Sequence, residues 1–90
     1  MSSQDSGVDW DAVGHVRGSR YRMAVVEALA DRPQTPSEIA NGDDLKIHHV
    51  SRALSQLGDE ELVELLVDES VQKGRIYGLT DAGEAVVPHL

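Results

Sequence analysis

Thr35-Pro36-Ser37-Glu38 constrains this chain more than any other segment. The Thr35 hydroxyl suits a helix N-cap, Pro36 suits the first helical position, and Glu38 falls three residues after the cap to close a capping box. Ile39 and Ala40 follow, and Asn41-Gly42 is expected to stop the segment, which makes a helix of only about two turns. Close behind it, after Asp43-Asp44, apolar residues stand at Leu45, Ile47, Val50, Leu54 and Leu57. From Ile47 the intervals are three, four and three, the period of one helix face, so Ile47, Val50, Leu54 and Leu57 are expected in the core. The other face carries His48, His49, Ser51, Arg52, Ser55 and Gln56 and no carboxylate. Gly58-Asp59 is expected to begin the end of this helix.

The rest of the chain is organised around that pair. Residues 1–8 are small and polar without a period and are expected to form a flexible N-terminal tail, leaving one domain over residues 9–90. Asp9 caps a short helix reaching Arg17, with Trp10, Val13 and Val16 spaced by three. Ser19 caps a longer one in which Tyr21, Val25 and Leu29 recur every four residues, and Arg32-Pro33 ends it near Asp31. Leu62 to Val67 and Gly74 to Leu79 read as two strands joined by a polar turn, a β-hairpin with a charged tip, and Tyr77 and Leu79 share one side. Thr80 caps a last helix whose packed face is expected from Ala82, Ala85 and Val86, with Pro88 closing it.

The overall charge is strongly acidic. Sixteen acidic residues against eight basic ones leave a net charge of −8, which opposes both nucleic acid and an anionic membrane surface. The distribution is uneven, however. Residues 12–26 hold Arg17, Arg20 and Arg22, residues 45–57 hold Lys46 and Arg52, and residues 70–80 hold Lys73 and Arg75, and none of these windows contains an acid. A plain account is that so many charges form some runs by chance; the sharper one is a basic face on an acidic body. Nine Asp and seven Glu against two Lys further suggest a halophilic protein whose self-repulsion is screened by salt. There is no cysteine, no run of about 20 apolar residues and no signal-peptide pattern, so disulfides, cysteine-ligated metal and a membrane span are not expected and the cytoplasm is the expected address.

The order helix, helix, two-turn helix, tight turn, polar-faced helix, hairpin, helix is a helix-turn-helix followed by a wing. The segments Ser19-Arg20-Tyr21-Arg22, Thr35 to Ala40, His49-Val50-Ser51-Arg52-Ala53-Leu54, Leu62-Val63 and Gly74 to Gly83 stand in this order and spacing. Over residues 10–87 the chain thereby resembles the winged helix-turn-helix transcriptional regulators of the MarR-like and ArsR-like kind common in archaea. The resemblance implies a mainly α fold with a small β-hairpin wing (α+β), double-stranded DNA as partner, and a homodimer reading a palindrome with half-sites about 34 Å apart. It makes residues 46–57 the recognition helix, about 16 Å long and suited to the major groove, and residues 62–79 the wing. His48, His49 and Arg52 then project early from that helix. Arg52 can pair with a guanine edge or a phosphate, and the histidines can donate to base acceptors, more strongly when protonated. Lys46, Ser51 and Gln56 are further candidates, and Lys73 and Arg75 match wing residues that reach a flanking phosphate or the minor groove. The Thr35 end of the short helix is expected to offer free N–H groups to a phosphate.

Some positions depart from the family pattern. Glu61 stands where a glycine often ends the recognition helix, and Gly58 is expected to bring that end forward. Asp44 stands where the turn usually has glycine, Asp43 replaces a core leucine, and Lys46 occupies a cap it cannot fill.

The competing readings are these. His48-His49 as a metal site is disfavoured, because adjacent helical residues diverge by about 100° and no cysteine supports them. Arg20 and Arg22 are expected to pair with helix-surface carboxylates. Trp10 is either a lid on the core or a dimer contact. No Ser-His-Asp set, carboxylate pair or phosphate loop suggests an enzyme, and no effector or cofactor is implied. The alternative function is a winged-helix protein–protein interaction module without direct DNA reading. Such a docking helix more often shows Leu, Met or aromatic anchors than the acid-free polar face of residues 46–56.

Overall fold

In the computed structural model, residues 8–68, 70 and 74–90 are described. The order is α1 (Trp10–Arg17), α2 (Arg20–Asp31), α3 (Pro36–Gly42), α4 (Ile47–Asp59), β1 (Val63–Leu65), β2 (Tyr77–Leu79) and α5 (Asp81–Val86), with a 3-10 turn over Val87–His89. Four of the five helices begin on the expected cap. Asp9 Oδ1 accepts from the Ala12 N–H at 3.1 Å, Ser19 Oγ from Arg22 at 3.3 Å, Thr35 Oγ1 from Glu38 at 3.1 Å and Thr80 Oγ1 from Gly83 at 3.1 Å. The capping box is complete, since the Thr35 N–H donates to Glu38 Oε1 at 2.9 Å. α4 begins at Lys46 with no side-chain cap, as its ammonium dictates.

The helices and β1 enclose one aliphatic core. Val16, Val25, Val26, Ile39, Val50 and Leu57 have no exposed surface, and Leu54, Leu62 and Val86 have almost none. α2 lies at the centre and packs on α1, α4 and β2, while α3 leans on α4. The turn between α3 and α4 is tight: Asp44 takes a left-handed φ of 55°, and the Leu45 N–H reaches back to the Ala40 carbonyl at 2.8 Å. With Asp43 exposed, half-buried Leu45 packs on the core from this turn.

α3 does end at Asn41-Gly42, as expected. Several other expectations change. α4 ends at Asp59, within the expected Gly58-Asp59, but the left-handed turn stays at Glu61, whose φ of 61° a glycine would take without a Cβ penalty. The strands are three residues each, paired antiparallel in the register Val63↔Leu79, Glu64↔Gly78, Leu65↔Tyr77. The ladder reaches one bond further, from the Leu66 N–H to the Ile76 carbonyl at 2.8 Å. The sequence also gave no sign that Gln34 would add a single bridge to Tyr77, exchanging both backbone bonds with it. In α5 the packed residues are Gly83 and Val86, whereas Ala82 and Ala85 face outward. The hairpin tip falls partly at residues 69 and 71–73, outside the described residues, and so does most of the expected tail.

Candidate nucleic-acid interface

α4 is the element around which the candidate residues gather. Its buried side is Val50, Ala53, Leu54 and Leu57. Ile47, expected there, is instead 47% exposed. Lys46, His48, Ser51 and Arg52 are exposed along the first half of the helix. His49 is half-buried and stacks flat on the Tyr21 ring of α2, with centroids 4.3 Å apart and planes 5° from parallel. His48 tilts over the other side of the neighbourhood, its ring centroid 4.1 Å from that of His49. The Arg20 guanidinium lies 4.9 Å over the Tyr21 ring and donates to the Tyr21 hydroxyl at 2.9 Å. The four side chains bind the start of α4 to the start of α2.

Arg22 completes that connection. Its Nε donates to the His15 carbonyl of α1 at 2.7 Å, and its Nη1 donates to Gln56 Oε1 of α4 at 3.0 Å. The carboxylate pairing expected for Arg20 and Arg22 is therefore replaced by an aromatic ring and by carbonyl acceptors. The one ion pair among the described residues is the exposed contact of Arg32 with Asp31. Gln56 is half-buried, and its carbonyl oxygen is occupied by this bond, so only its amide nitrogen is left to project. Sequence reasoning missed Arg22 as a structural link because its partners are 7 and 34 residues away.

On the other side of α4, three elements meet in one recess. It is lined by Thr35, Pro36 and Ser37 from α3, Ile47 and Ser51 from α4, and Gly74 and Arg75 from the base of the wing. The Arg75 Nε is buried there without an acceptor among the described residues. A second recess holds Ser19, Tyr21, Arg22, His49, Arg52, Ala53 and Gln56. Neither contains a carboxylate. Five acids, Asp9, Glu60, Glu61, Glu64 and Asp81, line a common cleft with Thr80 and Ala82 beyond the C-terminal end of α4, while Asp43 and Asp44 are exposed in the turn before its start. The Thr35 end of α3 differs from expectation, because the capping box takes up the Thr35 and Glu38 N–H groups and places a carboxylate there. The Thr35 backbone bond holds that carboxyl below its ordinary range. Lys73 lies outside the described residues.

Electrostatics act on His49 in a definite direction. Its burial against Tyr21 lowers its pKa from the ordinary 6.5, and the charges of His48, Lys46, Arg20 and Arg52 lower it further. The neutral ring is thus the form that the folded domain favours, so the stronger donation of a protonated ring is disfavoured at His49. Since the unfolded chain binds this proton more readily, the His49 contribution to stability is complete above 6.5 and declines as the pH falls towards the folded pKa. An NMR titration should show the His49 ring protonating below 6.5, and His49→Asn should reduce the acid sensitivity of folding; protonation at or above 6.5 contradicts this assignment.

Trp10 is not a lid on the core. It is 55% exposed and meets the His89 ring edge-on, centroids 5.0 Å apart. Among the described residues no helix is long and apolar enough to cross a membrane, and no group of metal-ligating side chains is present.

No protein-family profile matches the chain, and no characterised protein matches it by sequence. Solved structures match it in shape. YodB from B. subtilis, in its quinone-bound form, is 23% identical, with 89% of this chain and 84% of that one covered and a TM-score of 0.73. A MarR family regulator from Neisseria meningitidis is 24% identical, covering 86% and 55%, with a TM-score of 0.71. A homodimeric winged helix-turn-helix DNA-binding domain from Mycobacterium bovis, a possible ArsR-family transcriptional regulator, is 19% identical, covering 87% and 69%, with a TM-score of 0.67. The chain spans about half the length of several such structures, 49% of Lactococcus lactis ZitR among them. These likenesses establish the fold, an α+β winged helix-turn-helix.

Proposed function

We propose that the chain is a sequence-specific double-stranded DNA-binding transcriptional regulator of the MarR or ArsR type, with α4 in the major groove and the wing on the flanking backbone or minor groove. The observation that carries this reading is the recess, lined without a carboxylate, where the first half of α4 meets Ser37 and Arg75. Lys46, Arg52 and Arg75 supply charge for phosphates, and His48, Ser51 and Arg52 supply groups for base edges. Thr35 and Gln56 have polar atoms engaged within the fold and His49 is stacked on Tyr21, so the three act first as supports of this surface. Lys73 extends the basic wing by its place in the sequence.

The acting form is a homodimer. Trp10, exposed against His89, offers the apolar contact that dimerisation needs, and the Mycobacterium bovis domain that shares the fold is homodimeric. The excess of acid over lysine fits a salt-rich archaeal cytoplasm.

Duplexes selected from a random pool, titrated by fluorescence anisotropy at several salt concentrations, test the reading. Arg52→Ala combined with Arg75→Ala should weaken binding across sequences and make the plot of log affinity against log salt shallower by about 2 per protomer. Unchanged affinity and slope would move the assignment to a protein-interaction module.

A further inference from the structure

Ile47 is a large apolar residue exposed on α4, and the charge and hydrogen-bond argument leaves its chemistry unused. Its sequence period places it in the core stripe, yet Val50, Leu54 and Leu57 of that stripe are at most 4% exposed while Ile47 is 47% exposed. No other large aliphatic side chain lines its recess, whose remaining members are Thr35, Pro36, Ser37, Ser51, Gly74 and Arg75. A single branched aliphatic group ringed by hydroxyls and a guanidinium is too small for a protein hot spot, which gathers several buried anchors. It matches in size the single apolar feature that B-DNA presents in its major groove, the C5-methyl of thymine.

Resting on the DNA-binding reading, we propose that Ile47 reads thymine, packing its side chain on the C5-methyl of one thymine in each half-site. Three observations fit that occupant. Ile47 is the first residue of α4, the end from which Lys46, His48, Ser51 and Arg52 also project. Arg75 lines the same recess, Lys46 precedes Ile47 in the chain, and no carboxylate is among the lining residues, which suits a polyanion. Its branched Cβ restricts χ1, so the methyl groups are held in one place before contact. An RNA duplex would not serve, because its deep, narrow major groove shuts out side chains and its uracil has no C5-methyl.

The test uses the duplex selected by the full chain and replaces its thymines one at a time by deoxyuridine, which removes the methyl and leaves every hydrogen-bonding group of the base. At one thymine position per half-site the exchange should weaken wild-type binding roughly fourfold, the effect of one buried methyl. Ile47→Ala should bind the thymine duplex correspondingly less tightly and show no further loss on uracil exchange. Circular dichroism confirms folding of the variant, and the uracil arm on the wild type needs no variant at all. Equal wild-type binding to every uracil duplex, or a uracil penalty that persists in Ile47→Ala, overturns the thymine assignment while leaving DNA binding in place. Failure to select any duplex overturns the DNA reading and this inference with it.

Discussion

Gly83→Ala is expected to destabilise the domain by about 2 kcal/mol or more, lowering the melting temperature by roughly 10 °C. The direction is opposite to the usual one, since alanine in a helix interior is favoured over glycine by about 1 kcal/mol. Gly83 lies in α5 with its α-carbon against the backbone of Leu62, and an added Cβ would be driven into the Leu62 carbonyl oxygen, 3.1 Å from the carbonyl carbon. That carbonyl cannot retreat freely, because it accepts the Thr80 N–H at 3.1 Å. Beside it the Thr80 hydroxyl donates to the Glu61 carbonyl at 2.7 Å while capping α5. Gly14 supplies the internal comparison: no atom stands within 4 Å of the Cβ it lacks, so Gly14→Ala should be neutral or stabilising. Thermal unfolding of the two variants decides the matter, and a Gly83→Ala protein as stable as wild type would show that α5 is not seated against β1 in this way.

The second large effect is expected at Ile39. Ile39→Ala should cost about 3 kcal/mol, read as a lower denaturant midpoint at an unchanged slope. α3 has seven residues, too few for a helix to persist alone, and it buries only Ile39 and Ala40. The capping box fixes its start, but attachment to the core rests on the Ile39 side chain, which has no exposed surface. Loss of that anchor also frees the α3–α4 turn held by the Leu45-to-Ala40 bond, so DNA affinity should fall with stability. A cost below about 1 kcal/mol would mean that the turn carries α3 and the side chain is incidental.

These two sites differ in how far the sequence exposes them. Ile39 is legible, because a capping box followed by an aliphatic pair specifies a helix and its buried side within six residues. The caps at Asp9, Ser19 and Thr80 are legible for the same reason, each being a local bond three residues long. Gly83 is not legible. Hydrophobicity favours Ala82 and Ala85 as the packed face, whereas the closeness of Leu62, 21 positions away, leaves room for hydrogen alone. The candidate interface divides similarly. An acid-free face on α4 can be read from helical period, and Lys46, His48, Ser51 and Arg52 are exposed upon it. The stacking of His49 on Tyr21, the capture of Gln56 by Arg22 and the exposure of Ile47 depend on where α2 and the other elements stand beside α4. Periodicity carries no information about that distance.

The separation of charge over the domain has a dynamic consequence. Lys46 and Arg52 on α4 and Arg75 beside it stand apart from the carboxylate-lined cleft beyond the C-terminal end of that helix, so charge is unevenly spread over the domain. In the steep field beside a polyanion, a dipole feels a torque before it feels contact, and within about 8 Å at physiological salt it is turned cation-first. A net charge of −8 slows approach, but the torque biases which side arrives. On the DNA-binding reading, such a molecule arrives seldom and already aimed.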